Sequence, residues 1–182
     1  MKIIRKRSVK ILGIACIISI PFIIFLLKKQ YAIPQKTNNQ LLNIITKSLL
    51  SSEVPKINVS DVVAHQTSYI FLDSREKEEY NVSHIKNSIY VGDKEFNMDK
   101  INQIPKDTGI IVYCSVGVRS DKIAREIIDA GYTNVHNMFG GIFEWINEGH
   151  PIFDSTGKST QNVHAYSRLW GMFLNSGHKV YN

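Results

Sequence analysis

Cys114-Ser115-Val116-Gly117-Val118-Arg119-Ser120 is the stretch of this 182-residue sequence whose residue types and order suit covalent chemistry. A cysteine stands directly behind the apolar run Ile110-Ile111-Val112-Tyr113, and an amphipathic segment follows the loop Cys114 to Arg119. In an open α/β sheet, ligands bind at the carboxyl ends of the strands. Successive backbone N–H groups of such a loop can point inward and form an anion nest. A helix behind the loop adds the positive end of its dipole. Both features favour thiolate over thiol at Cys114. The same nest suits a persulfide, whose outer sulfur is also anionic. Gly117 supplies the backbone angles of a tight loop, and Arg119 can hold the loop or pair with an anionic substrate. The plain alternative is an inert buried cysteine. It fits poorly with a cysteine that opens a loop containing glycine and arginine.

The elements that must position this loop follow from the apolar pattern. Ile110 to Tyr113 is apolar on both faces, as in a strand of a parallel sheet. Ser120 is expected to cap a helix with Ile123, Ala124, Ile127 and Ile128 on one face, ended by Gly131. Asn134 to Asn137 reads as the next strand. Upstream, strands are expected near Lys56 to Val59, Tyr69 to Leu72 and Ser88 to Val91. Ser60 is a candidate cap for a helix beginning at Asp61, and Glu76 to Asn81 reads as a short charged helix or turn. The alternation of strand and helix predicts a parallel α/β sheet with right-handed crossovers. Downstream, Tyr166, Leu169, Trp170, Phe173 and Leu174 recur at helical spacing, which predicts an aromatic-striped helix packed on the domain.

Charge and cysteine usage narrow the function classes. The formal net charge is +6, but residues 1–36 carry eight basic residues and no acidic one. Residues 37–182 hold 14 basic and 16 acidic residues, which argues against a nucleic-acid surface on the main domain. Two cysteines, Cys16 and Cys114, exclude a disulfide-stapled scaffold, and no Cys/His cluster has zinc-site spacing.

The basic N-terminus surrounds an apolar run, Ile11 to Leu27, in which Ser19 is the clearly polar residue. As a helix it would reach about 25 Å, near the lower limit for crossing a bilayer. Cations flank it on both sides, with the excess before it. A single-pass membrane helix over residues 11–27 is therefore expected, with a cytoplasmic N-terminus and an extracytoplasmic domain. Lys28-Lys29-Gln30 argues against a cleaved signal, and Leu12 lies one place too early for lipidation at Cys16. Four regions result: a basic N-terminus and anchor (1–29), a linker with a short amphipathic helix (30–53), a catalytic domain (54–153) and an aromatic helical tail (154–182).

An ordered set of short motifs resembles the rhodanese (sulfurtransferase) domain family over about Val54 to Phe153. They are Phe71-Leu72-Asp73-Ser74-Arg75, Glu79-Tyr80, His84-Ile85-Lys86-Asn87-Ser88, and Ile111-Val112-Tyr113-Cys114 with Gly117-x-Arg119-Ser120. Ala130-Gly131-Tyr132-Thr133-Asn134-Val135, Gly140-Gly141-Ile142-Phe143-Glu144-Trp145 and Gly149-His150-Pro151-Ile152 follow in order.

The resemblance implies an open parallel five-stranded sheet flanked by helices, here preceded by the expected transmembrane helix. It implies that Cys114 attacks the outer sulfur of a donor, thiosulfate or a persulfide, and becomes a persulfide itself. A thiol or cyanide acceptor then takes that sulfur. Backbone N–H groups of Ser115, Val116, Gly117, Val118 and Arg119 would cradle it, and no metal or organic cofactor is required. Asp73 and Arg75 match an Asp-x-Arg motif expected to form a supporting ion network, and His84 is expected to be a structural histidine. Ser115 stands where many thiosulfate-using members carry a second cation. It can donate a hydrogen bond but cannot neutralise a dianion, which weighs against thiosulfate. The related phosphatases need an arginine six places after the cysteine, where Ser120 stands. A non-catalytic module or persulfide carrier serving a membrane partner is the alternative function.

Overall fold

The computed structural model describes Ile44 and residues 48–181. The expected membrane helix over residues 11–27 and most of the linker region 30–53 with its expected short helix lie outside the described residues. Among the described residues, no helix is long and apolar enough to cross a membrane.

The central sheet is parallel and five-stranded. Its strands are β1 (Lys56–Ile57), β2 (Ile70–Asp73), β3 (Ile89–Tyr90), β4 (Ile110–Tyr113) and β5 (Val135–Met138), in the order β1-β5-β4-β2-β3. The helices are α1 (Val59–Ala64), α2 (Lys77–Val82), α3 (Val118–Asp129) and α4 (Gly141–Asn147). β4 is buried at every residue because both faces are covered. Phe71, Ile111 and Tyr113 pack into one layer with α1 and α4. Leu72, Ile110 and Val112 point the other way, to Ile123, Ala124 and Ile127 of α3. The period of two along each strand sorts the apolar residues into these layers.

Two expected helix starts move. α1 begins at Val59 behind Asn58, and Ser60 lies inside its first turn. α3 begins at Val118 behind Gly117, which has φ of 97°. Ser120 is therefore not a cap; its hydroxyl donates to Asn137 Oδ1 at 2.7 Å. The far end of α3 closes as its sequence predicts. Gly131 adopts φ of 91°, and the N–H groups of Gly131 and Tyr132 return to the carbonyls of Ile128 and Ile127.

The helix expected from Tyr166 to Leu174 does not form. The segment after α4 holds β6 (Ile152–Phe153) paired antiparallel with β7 (Ser159–Thr160), and β8 (Asn162–His164) paired parallel with β9 (His178–Val180). Between β8 and β9 the aromatic residues lie on an irregular loop ending in a 3-10 turn, Trp170–Phe173. Tyr166 has φ of 62°, which breaks any helix there. The apolar spacing serves burial all the same. Val163, Phe173 and Leu174 join the core layer of Phe143, Trp145 and Ile146.

Candidate active site

Cys114 is the residue immediately after β4, and it is buried, with 1% of its surface exposed. Its Sγ accepts a hydrogen bond from the N–H of Gly117 at 3.2 Å. Because α3 starts at Val118, the loop proper is only Ser115, Val116 and Gly117. The first N–H groups of a helix have no partner inside it, and the N–H of the residue preceding them, Gly117, is the one bonded to the sulfur.

The loop is held from below and above. Below, the buried Asn137 on β5 donates from Nδ2 to the Gly117 carbonyl at 2.9 Å and to Asp121 Oδ1 at 3.1 Å. Above, the start of α4 grips the loop backbone. Ile142 N–H donates to the Cys114 carbonyl at 2.9 Å, and Phe143 N–H to the Ser115 carbonyl at 3.1 Å. Gly141, with φ of 58°, permits this approach: a β-carbon there would collide with the Cys114 carbonyl oxygen and lie 2.7 Å from the Ser115 carbonyl carbon.

Charge at the loop is settled by Glu79 of α2. Arg119 makes a bidentate pair with it, Nη1 to Oε2 at 2.6 Å and Nη2 to Oε1 at 2.9 Å. Ser115 Oγ donates to Glu79 Oε1 at 2.9 Å and accepts from Arg119 Nη2 at 3.0 Å. Burial alone would push the Glu79 carboxyl up. The hydrogen bond and charge of Arg119, the charge of Arg75 and the Glu76 N–H outweigh it and hold the carboxyl below its ordinary value. Burial likewise opposes the charge on Arg119, but Glu79, Cys114 and Tyr166 hold the guanidinium charged, above its ordinary value. Sequence names Glu79 only within the matching pair Glu79-Tyr80 and gives it no role at the site. Its pairing spans helices 40 residues apart, and its local signature reads as an ordinary first-turn glutamate closing a capping box with Glu76.

Asp73 and Arg75 lie beneath the loop, fully buried. Arg75 Nε and Nη2 reach the Asp73 carboxylate at 3.0 and 2.7 Å, and Nη2 also donates to the Ser83 carbonyl at 2.5 Å. Between them Ser74 donates from N and Oγ to the Tyr113 carbonyl, the one preceding Cys114, at 2.9 and 3.0 Å. The Tyr113 hydroxyl accepts from Ile85 N–H and donates to Ser88 Oγ. Burial and the Asp73 charge push the Tyr113 phenol well above its ordinary value, so the hydroxyl stays a donor. His84 is elsewhere. Its ring stacks on Tyr80 at 4.0 Å, its Nδ1 lies 3.1 Å from the Tyr80 carbonyl, and it lines a separate groove with Lys77 and Lys86.

Cys114, Ser115, Val116, Val118 and Arg119 line one cavity of about 190 Å³, and its remaining walls are Tyr166 and Trp170. These two aromatics also escape the sequence-based list of site residues, because their spacing reads as a helix stripe. No cluster of three or more His, Cys, Asp or Glu able to hold a metal occurs among the described residues. The arrangement is a cysteine thiol at a helix start, in the wall of a small, mostly apolar cavity.

A family model described as "Rhodanese-like domain" matches residues 59–148. A tRNA uridine(34) hydroxylase of Bdellovibrio bacteriovorus is 30% identical over 91 residues, covering 48% of this chain and 26% of that protein. An adenylyltransferase and sulfurtransferase uba4 of Ogataea parapolymorpha is 30% identical over 99 residues, covering 54% of this chain and 25% of that protein. The chain thus spans about a quarter of the length of these relatives. Among solved structures, the rhodanese-like domain of an Anabaena protein superposes with a TM-score of 0.52 at 19% identity, covering 70% of this chain and 89% of that one.

Proposed function

Because the chain carries a rhodanese-like domain over residues 59–148, we propose that it is a sulfurtransferase that carries sulfane sulfur as a persulfide on Cys114. The observation that carries this reading is the placement of Cys114 Sγ in the cavity wall, 3.2 Å from the Gly117 N–H at the start of α3.

In the first half-reaction the Cys114 thiolate attacks the outer sulfur of a donor R–S⁻. A sulfur–sulfur bond forms at Cys114, the bond between that sulfur and R breaks, and R leaves with the bonding pair. In the second, a thiolate or cyanide attacks the outer sulfur, and Cys114 leaves as thiolate. No outside oxidant or reductant enters. Gly117 N–H and the first turn of α3 stabilise negative charge on sulfur in both steps. Glu79, Arg119 and Ser115 fix the loop wall. Asp73, Arg75 and His84 act at a distance, bracing β2, α2 and the end of β4.

A tRNA substrate, as in the name of the hydroxylase relatives, gains no support from the 14 basic and 16 acidic residues of 37–182. The N-terminal apolar run supports a second part of the reading, that residues 11–27 anchor the domain outside the cytoplasm. A reporter fused after Asn182 should then be active only on the exported side.

The test of the chemistry is the intact mass of the full chain after incubation with a sulfane-sulfur donor. A gain of one sulfur atom, absent in Cys114→Ser and lost on adding cyanide, supports the enzyme. Failure to load a folded, reduced protein removes it in favour of a non-catalytic module.

A further inference from the structure

Tyr166 and Trp170 lie beyond the family-matched residues, yet they complete the cavity around Cys114. Tyr166 is held in a strained conformation. It is the centre of a tight turn in which Ser167 N–H donates to the Ala165 carbonyl at 2.7 Å, with φ of 62°. Its own N–H donates to His164 Nδ1 at 3.2 Å. Such strain persists only where the surroundings over-determine it. The turn sets the Tyr166 ring 4.7 Å from the Arg119 guanidinium carbon. Trp170 is anchored by its contact with the buried Phe173, 5.9 Å between ring centroids. The adjoining Gly171 lets the turn settle onto Ala165, because a β-carbon there would lie 3.1 Å from the Ala165 Cβ.

The cation in the cavity wall is neutralised by a neighbour. Arg119 has both terminal nitrogens committed to Glu79, and Ser115 donates to the same carboxylate. Entering this cavity strips water from an anion, and a second negative charge meets a guanidinium already paired with Glu79. A single sulfur-centred charge does find one, at the Gly117 N–H and the start of α3. The volume, about 190 Å³, is below the roughly 300–1,000 Å³ of pockets for drug-sized ligands.

Resting on the sulfurtransferase reading of Cys114, we infer that Tyr166 and Trp170 are specificity residues that select a small, hydrocarbon-bearing, singly charged sulfur donor over the dianion thiosulfate. The hydrocarbon lies against the two aromatic faces, and the sulfane sulfur faces Cys114.

Benzenethiosulfonate and thiosulfate test this directly, since a phenyl group in the first replaces a charged oxygen of the second. The steps balance alike: Cys–S⁻ plus C6H5SO2–S⁻ gives Cys–S–S⁻ plus C6H5SO2⁻, and thiosulfate gives the same persulfide plus sulfite. The readout is the ratio of kcat/KM for the two donors with the full chain. The wild type is expected to favour benzenethiosulfonate at least about tenfold, and Tyr166→Ala and Trp170→Ala each to lower that ratio about tenfold. Trp170→Phe, which keeps an aromatic against Phe173, should retain most of it, so that a folding defect in Trp170→Ala is recognised. A wild-type ratio near one, or a ratio unmoved by the substitutions, overturns the inference and leaves the sulfurtransferase intact. Failure of either donor to load folded Cys114 overturns both.

Discussion

Glu79 of α2 and Arg119 of α3 close a bidentate ion pair of 2.6 and 2.9 Å that includes the Ser115 hydroxyl. The loop next to Cys114 thus carries a cation paired within the protein. On the proposed chemistry, local geometry and not net positive charge would receive an incoming sulfur.

Glu79→Gln tests the pair. It keeps most of the shape but leaves Arg119 with a buried, uncompensated charge. Stability should fall by about 3 kcal/mol, measured by urea denaturation. The freed guanidinium should also raise the rate of Cys114 loading from thiosulfate relative to the wild type.

The same pair sets an acid limit. The folded Glu79 carboxyl titrates below its ordinary value of 4.5, so the unfolded chain takes up this proton more readily than the folded one. The contribution is therefore complete above pH 4.5 and lost as the pH falls through the lower folded value. The difference in unfolding free energy between wild type and Glu79→Gln should be constant from about pH 7 to 5 and shrink below that range.

Gly141→Ala should be among the most damaging small substitutions. The new methyl collides with the Cys114 carbonyl, and the backbone sits at φ of 58°. A loss of about 3 kcal/mol or more is expected from displacement of α4. The alkylation rate of Cys114 in the folded fraction should rise as the loop loses its upper grip. An unchanged melting temperature would show that the turn relaxes without cost.

Arg75→Met separates support from chemistry. It strands the Asp73 carboxylate in a site with no exposed surface, which should cost about 3–5 kcal/mol. Because Arg75 does not line the cysteine cavity, sulfur loading per folded molecule should stay near the wild-type value. A selective loss of loading at full stability would place Arg75 in the substrate's path.

The parts legible in the sequence are those fixed by local pattern. Ile110 to Tyr113 is apolar at every position and forms a central strand, and Gly131 ends α3 as its type suggests. Ser120 misleads because a capping hydroxyl and a buried one look alike. The competing partner, Asn137, lies 17 residues away on β5. Tyr166 to Leu174 misleads for a related reason. Aromatic spacing records that side chains are buried together, and a 3-10 turn meets that demand as well as a helix does. Cys114 and its loop stand out because their chemistry is written in consecutive residues. Glu79, Tyr166 and Trp170 reach the loop only through tertiary folding.

The burial of Cys114 also bears on the fate of any sulfur it carries. With 1% of its surface exposed and two aromatic walls at its cavity, Cys114 itself is open to small reagents more than to broad ones. Discharge then belongs to nucleophiles slender enough to reach inward: a linear ion, or a thiol at the tip of a flexible arm. On the proposed chemistry, the breadth of a sulfur collector would count beside its reactivity in deciding how long the sulfur stays on Cys114.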